Sequence, residues 1–214
     1  MWEWGIAAAV ALGAMHVVAR YGGARWSAGV LKPLPIVLLA VLVASEPAPV
    51  GPGYRWLVVV ALAFSMAGDV WLLRPERFFV PGLVSFLVAH VLYIAAFVPR
   101  GGWGASGWLV LLPFALSGVA MLAYLWPRLG SDRVPVVVYL SVIVVMGWQA
   151  AIRAGSTTTP APSGALACAG AVLFMLSDGI LSVDRFARPF GAADAAVMAT
   201  YYAAQILIAL SVRA

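Results

Sequence analysis

Apolar residues in this chain neither alternate nor form one-sided stripes; they run almost unbroken in stretches of membrane-spanning length. A helix that crosses a bilayer takes about 20 mostly apolar residues. Eight stretches meet that requirement, at about 3–20, 30–45, 54–73, 79–98, 105–126, 134–153, 163–183 and 191–212. Breaks rich in Pro, Gly or charge divide them, as at Glu46-Pro47-Ala48-Pro49 and Arg74-Pro75-Glu76-Arg77. The pattern predicts an all-α, polytopic transmembrane bundle of about eight helices. The connections are too short for a soluble insertion, so residues 1–214 read as a single membrane domain with consecutive helices antiparallel. The second stretch is unusual: Leu31-Lys32-Pro33-Leu34-Pro35 opens it, and a short, Pro-interrupted span is one mark of a binding site in membrane proteins.

Composition agrees with the pattern. Of 214 residues, 64% are hydrophobic and 10% charged, against roughly half and a quarter in soluble domains. The net charge of +5 sits in the connections, so it speaks to topology and not to nucleic acid. Arg20, Arg25, Lys32, Arg74, Arg77, Arg128, Arg133, Arg185 and Arg188 fall in one set of connections; Arg55, Arg100, Arg153 and Arg213 fall in the other. Nine against four predicts that the first set is cytoplasmic and that both termini face out, in a multi-pass protein of the cell membrane, the inner membrane if the cell is a bacterium. Trp2, Trp4, Trp56, Trp103 and Trp108 cluster near the outer ends, as interfacial anchors do. The start of the chain lacks the basic residues of a cleavable signal, so the first stretch reads as a retained helix. Cys168 has no intramolecular disulfide partner, and its apolar surroundings argue against a reactive thiol.

Chemistry enters with the ionisable residues inside the spans, each of which costs several kcal/mol unless paired or used. Asp69 and Asp178 are each expected about one turn from the cytoplasmic end of the third and seventh spans, which run in the same direction. His90 is expected roughly 16 Å along the fourth helix, near mid-membrane, with Tyr93 on the same face. The last span carries Tyr201, Tyr202 and Gln205, which at spacings of three and four share a face. Hydrogen-bonded helix packing accounts for such residues as readily as a site does, and His16 reads as structural. Gly68-Asp69 followed by Arg77-Phe78 is echoed by Ser177-Asp178 followed by Arg185-Phe186, four helices later, as a four-plus-four duplication would leave it.

On these residues the sequence resembles the YhhN family of membrane proteins, whose characterised animal members are lysoplasmalogenases. The resemblance rests on Lys32-Pro33-Leu34, on Phe64 to Leu72 around Gly68-Asp69, on Phe78 to Tyr93 with Gly82, Phe86 and His90, on Leu173 to Asp178, and on Met198 to Gln205. It implies an enzyme that opens the vinyl ether bond of a lysoplasmalogen, a lysophospholipid, to release a fatty aldehyde and a glycerophospho head group. The family is distantly similar to alkaline ceramidase-like hydrolases with three His and an Asp on zinc; with only His16 and His90, this chain departs from that pattern. A metal on Asp69, Asp178 and His90 is the less simple reading, and the residues call for no cofactor.

Vinyl ethers hydrolyse by proton transfer to the outer alkene carbon, and an anion steadies the oxocarbenium ion that results. Two carboxylates in one low-dielectric pocket supply both groups, as in glycosidases. The expected assignment gives Asp69 and Asp178 the acid and anion roles without deciding between them, and His90 the attacking water. Tyr93, Ser177, Tyr201, Tyr202 and Gln205 are expected to line the substrate, and Lys32, at the cytoplasmic mouth, to meet its phosphate. A proton-coupled transporter, a hydrolase of another lysolipid and a non-catalytic lipid-binding protein fit the same residues. Head group, chain length and oligomeric state are not written in the sequence.

Overall fold

The computed structural model describes residues 1–99 and 107–213, with nothing stated of the side chains at 25 and 26. Arg100, Trp103 and the start of the span expected at 105–126 lie outside the described residues. The described chain is α-helical, with one isolated antiparallel bridge between Pro49 and Arg213. The helices are α1 (Trp2–Tyr21), α2 (Arg25–Leu31), α3 (Leu34–Ala44), α4 (Pro52–Trp71), α5 (Pro75–Phe97), α6 (Gly107–Leu125), α7 (Arg133–Ala154), α8 (Ala161–Phe186) and α9 (Ala193–Leu210). Among the described residues eight helical segments are long and apolar enough to cross a bilayer, α2 and α3 together making one of them from Ser27 to Ala44.

Proline explains the two irregular spans. Pro33 and Pro35 carry no N–H, so the carbonyls of Gly29 and Leu31 lose their helical donors, and the second span breaks at Lys32-Pro33. Pro81 does the same to Arg77 within α5, and Phe78 leaves helical geometry there, with φ −123° and ψ 25°. The first break delivers Lys32 to the bundle interior; the second sets the angle at which Phe79 meets α8.

Packing repeats with an offset of four spans. The third span, α4, packs on the fourth, α5, as α8 packs on α9; α3 packs on α4 as α7 does on α8; α1 packs on α3 as α6 does on α7. The two halves are joined through α5 with α7 and, in the matching place, through α9 with α3. These neighbours run parallel to the four-span echo in the sequence, while α1 on α9 and α6 on α8 have no comparable counterpart in the other half among the described residues.

Lipid supplies no hydrophobic force between helices, so close approach and hydrogen bonds hold them. Gly170 of α8 shows the first: a Cβ there would lie 2.9 Å from the Ala204 carbonyl of α9. Gly68 shows the same next to the site, where a Cβ would fall 2.6 Å from the Phe86 ring. Outward positions such as Val60, Leu109, Leu116, Val119, Val138 and Leu176 are exposed and apolar, a lipid-facing surface.

The two ends of the bundle differ. One carries Arg74, Arg77, Arg185 and Arg188, and is tied together by Arg20 to Asp194 at 3.5 Å and by the Tyr21 hydroxyl to the Gly191 carbonyl at 2.8 Å. At the other end, buried Glu46 accepts from the Trp2 indole at 2.6 Å and stands 3.8 Å from Arg213. Trp2 is therefore a buried partner of a carboxylate, whereas Trp4, Trp56 and Trp108 are exposed. An indole N–H in reach of a buried acid is worth more than a place among head groups, which is why the expectation of an anchor fails at Trp2.

Candidate functional site

The interior holds two carboxylate centres, one in each half. In the first, Asp69 of α4 is 1% exposed. Its Oδ1 stands 3.6 Å from the Lys32 ammonium, and its Oδ2 accepts the Tyr201 hydroxyl of α9 at 2.8 Å. Lys32 is itself buried, and its carbonyl, left without a helical donor by the Pro break, accepts the Tyr202 hydroxyl at 2.9 Å. Lys32 was expected at the cytoplasmic mouth, meeting the substrate phosphate. It turns inward because a carboxylate waits one helix away, and two opposite charges taken out of water need one another.

In the second centre Asp178 of α8 accepts the Tyr139 hydroxyl of α7 on Oδ2 at 2.7 Å, and the same oxygen stands 3.7 Å from Nε2 of His90 on α5. His90 is wholly buried, held edge-to-face by Phe174 and Tyr139 at centroid distances of 4.6 and 5.3 Å. The Asp178 side chain is 13% exposed, and it lines a small, largely apolar cleft. Leu72, Phe79, Leu83, Phe86, Tyr139 and Leu140 form its walls, with Ser182 and Arg185 farther along α8. The Arg185 guanidinium lies 3.6 Å over the face of Phe79.

The centres obey the four-span offset. Asp69 takes its partners from the second and eighth spans, and Asp178 takes its partners from the sixth and fourth, which are the equivalent positions. The partner types are exchanged: where one half places an ammonium the other places a phenol, and where one places a phenol the other places an imidazole. Phe174 touches both centres, edge-on to His90 and to Tyr201 at 5.4 Å, and Phe86 packs edge-on to Tyr201 at 5.8 Å.

The expectation of one chamber holding both carboxylates is therefore corrected. Each acid has its own hydrogen-bond donor and its own basic neighbour, and the cleft reached by Asp178 is not lined by Asp69. Two causes produce the separation. The helices α4 and α8 are each flanked by their own partners, with α5 and α9 set between the halves. In addition α8 continues to Phe186, eight residues past Asp178, while α4 stops at Trp71, two past Asp69. Asp178 is thus two turns inside its helix, deeper than the one turn expected, because Ser182-Val183-Asp184-Arg185 continues the helix where hydropathy falls.

The remaining expected residues divide between the centres and the scaffold. Tyr93 donates to Gln205 Oε1 at 2.6 Å, joining α5 to α9, and its ring stacks on Phe97. Ser177 donates to the Val197 carbonyl of α9 at 3.0 Å, a helix-to-helix bond facing away from the cleft. His16 Nδ1 bonds the Ala28 carbonyl at 2.9 Å. Tyr139 was missed, although it stands with Ile143, Met146 and Ala150 on the inward stripe of α7 at helical spacing.

A helical bundle of eight spans with ionisable groups buried between them defines a polytopic membrane protein with an internal polar site. More particularly, the chain belongs to the YhhN family, whose model matches residues 27–212. It is 38% identical to the human lysoplasmalogenase TMEM86B over 188 residues, covering 87% of this chain and 75% of that protein. It is 36% identical to the bovine lysoplasmalogenase TMEM86A over 199 residues, with 87% and 78% covered. A third relative, the uncharacterized membrane protein YhhN of Escherichia coli O157:H7, is 30% identical over 198 residues and 92% covered on both sides. No solved structure matches the chain.

Proposed function

We propose that this protein is a lysoplasmalogenase-like ether hydrolase that opens the vinyl ether of a lysophospholipid drawn sideways from the membrane, with Asp178 as its acid. The observation that carries the reading is the position of Asp178. It is a carboxyl group that lines an apolar cleft, with one oxygen accepting from Tyr139 and standing 3.7 Å from His90. Relatives at 36–38% identity bear the lysoplasmalogenase name, which supports the substrate class.

The steps balance on this chain's own residues. The Asp178 proton goes to the outer alkene carbon, and the electron pair of the double bond forms the new C–H bond. The inner carbon and ether oxygen share the positive charge, and the Asp178 carboxylate just formed faces that cation in a site where water does not weaken the attraction. Water adds to the inner carbon and gives its proton to Asp178, whose Oδ2 is held by the Tyr139 hydroxyl with His90 beside it. The C–O bond of the hemiacetal then breaks; its hydroxyl proton leaves and the glyceryl oxygen takes one up, giving a fatty aldehyde and a glycerophospho head group.

Asp69 takes a different part from the one first expected. Its charge is matched by Lys32, so it supports Tyr201 and, through Phe86 and Phe174, the wall of the reacting centre. The basic end of the bundle is read as cytoplasmic, which places the cleft at the inner leaflet. The test is purified protein in detergent with lysoplasmenyl phosphocholine or its saturated ether analogue, assayed for aldehyde. Aldehyde is expected from the first alone, and a loss of about a hundredfold or more in Asp178→Asn is expected if a proton donor is removed. Equal release by wild type and Asp178→Asn rejects the assignment; no release by wild type rejects the activity.

A further inference from the structure

One face of α8 carries three polar side chains into the cleft in sequence: Asp178, Ser182 and Arg185. The steps of four and three put them on one stripe. At ~1.5 Å per residue, Ser182 is roughly 6 Å and Arg185 roughly 10.5 Å along the axis from Asp178. Arg185 is exposed at the basic end, pairs with no carboxylate among the described residues, and is held over Phe79 by its guanidinium face. Its edge therefore remains free for an anion. Ser182 makes no hydrogen bond with another described residue.

We infer that this stripe is a ruler for the glycerophosphate part of the substrate: Asp178 meets the alkenyl ether, Ser182 the free hydroxyl at glycerol carbon 2, and Arg185 the phosphate. The inference rests on the activity proposed above and specifies how the lipid lies. From ether oxygen to phosphorus the glycerol backbone spans about 6 Å when extended, at ~1.5 Å for each single bond. With a hydrogen-bond contact at each end that length is comparable to the two-turn rise between the backbone positions of Asp178 and Arg185. The middle carbon then passes Ser182, so a fatty ester at that carbon would have to displace the α8 wall, whereas a hydroxyl finds a partner. A lysolipid is selected over a diradyl lipid by the same contact that orients it. Lys32, first expected to meet the phosphate, is occupied with Asp69, and Arg185 is the cation the cleft offers in its place.

The test compares substrates on wild type and variants in one detergent. Lysoplasmenyl phosphocholine is set against 1-alkenylglycerol, which lacks the phosphate, and against the analogue with hydrogen in place of the hydroxyl at carbon 2. Wild type is expected to favour the phosphate-bearing lipid, and Arg185→Gln to lose about tenfold or more of that preference, mainly in KM, as the loss of a charge-assisted contact predicts. Arg188→Gln, at the same end but outside the cleft, is expected to keep the preference. Ser182→Ala is expected to lose roughly three- to tenfold of the preference for the hydroxylated over the deoxy lipid. An Arg185→Gln preference equal to wild type overturns the ruler while leaving the activity intact. If wild type releases no aldehyde from any of the three lipids, the activity itself has failed and the ruler with it.

Discussion

Removing the Lys32 charge should damage the protein more than removing both members of its ion pair. Lys32 is 8% and Asp69 1% exposed, so neither reaches water, and each depends on the other and on a phenol or peptide group. In Lys32→Met the carboxylate keeps only the Tyr201 hydroxyl; in Asp69→Asn the ammonium loses its counter-ion altogether. Breaking a buried pair from one side costs about 3–5 kcal/mol, whereas replacing both charges is close to neutral. At roughly 2–4 °C for each kcal/mol in a chain of this size, either single change lowers the melting temperature by about 6–20 °C. Lys32→Met/Asp69→Asn keeps an acceptor for Tyr201 and should melt within a few degrees of wild type. Thermal unfolding in one detergent, followed by loss of the monodisperse peak, measures all four proteins and yields the coupling energy directly. A double variant whose loss equals the sum of the singles would refute the argument, since the charges would then not depend on one another. The same preparations test the role given to Asp69. If it supports the reacting centre without joining the chemistry, the double variant recovers aldehyde release that Asp69→Asn loses. A stable but inactive double variant would instead put Asp69 among the reacting groups.

Two further outcomes follow from the same geometry. Tyr139→Phe removes the donor to Asp178 Oδ2 while keeping the ring against His90, and should lower kcat for aldehyde release about tenfold with KM little changed; an unchanged kcat means that the hydrogen bond is idle. Gly170→Leu forces a side chain into the space where the α9 backbone already limits a Cβ, and should destabilise by about 1–3 kcal/mol or more, read in the same melting assay; a neutral result would mean that α8 and α9 can slide apart.

The membrane architecture could be read from the chain because the signal is local. A run of apolar residues ended by Pro or charge is a span wherever its neighbours lie, and the helices begin and end near the expected positions. The interior polar residues were legible for the same reason: Asp69, His90, Asp178 and Gln205 stand in apolar runs, and all are turned inward. Partners were another matter. Whether Lys32 faces head groups or Asp69 depends on the angle set by the break at Pro33, and periodicity says nothing of such an angle. Tyr139 lies among Val136, Val137, Val138 and Leu140, where a tyrosine passes for an ordinary apolar residue. Only the nearness of α7 to α8 makes it the donor to Asp178. The depth of Asp178 was misjudged because hydropathy marks where lipid ends, while the helix runs on through Arg185.

The two acids are related by the four-span offset in sequence and differ in their neighbours. Each carboxylate is reached by one side chain from the preceding span and one from the other half. Equal occupancy would give two equally charged interior sites, which lipid surroundings make costly. Exchange of the partners breaks that equality. The half that places Lys32 beside its acid obtains a neutral, fully enclosed pair, suited to holding α4, α9 and the broken second span together. The half that places a phenol and an imidazole beside its acid puts no Lys or Arg against it among the described residues. Its acid also lines the cleft, whose walls come from both halves. On the activity proposed above, the reacting acid has to stand where a substrate reaches it, and of the two acids it is Asp178 that lines the cleft.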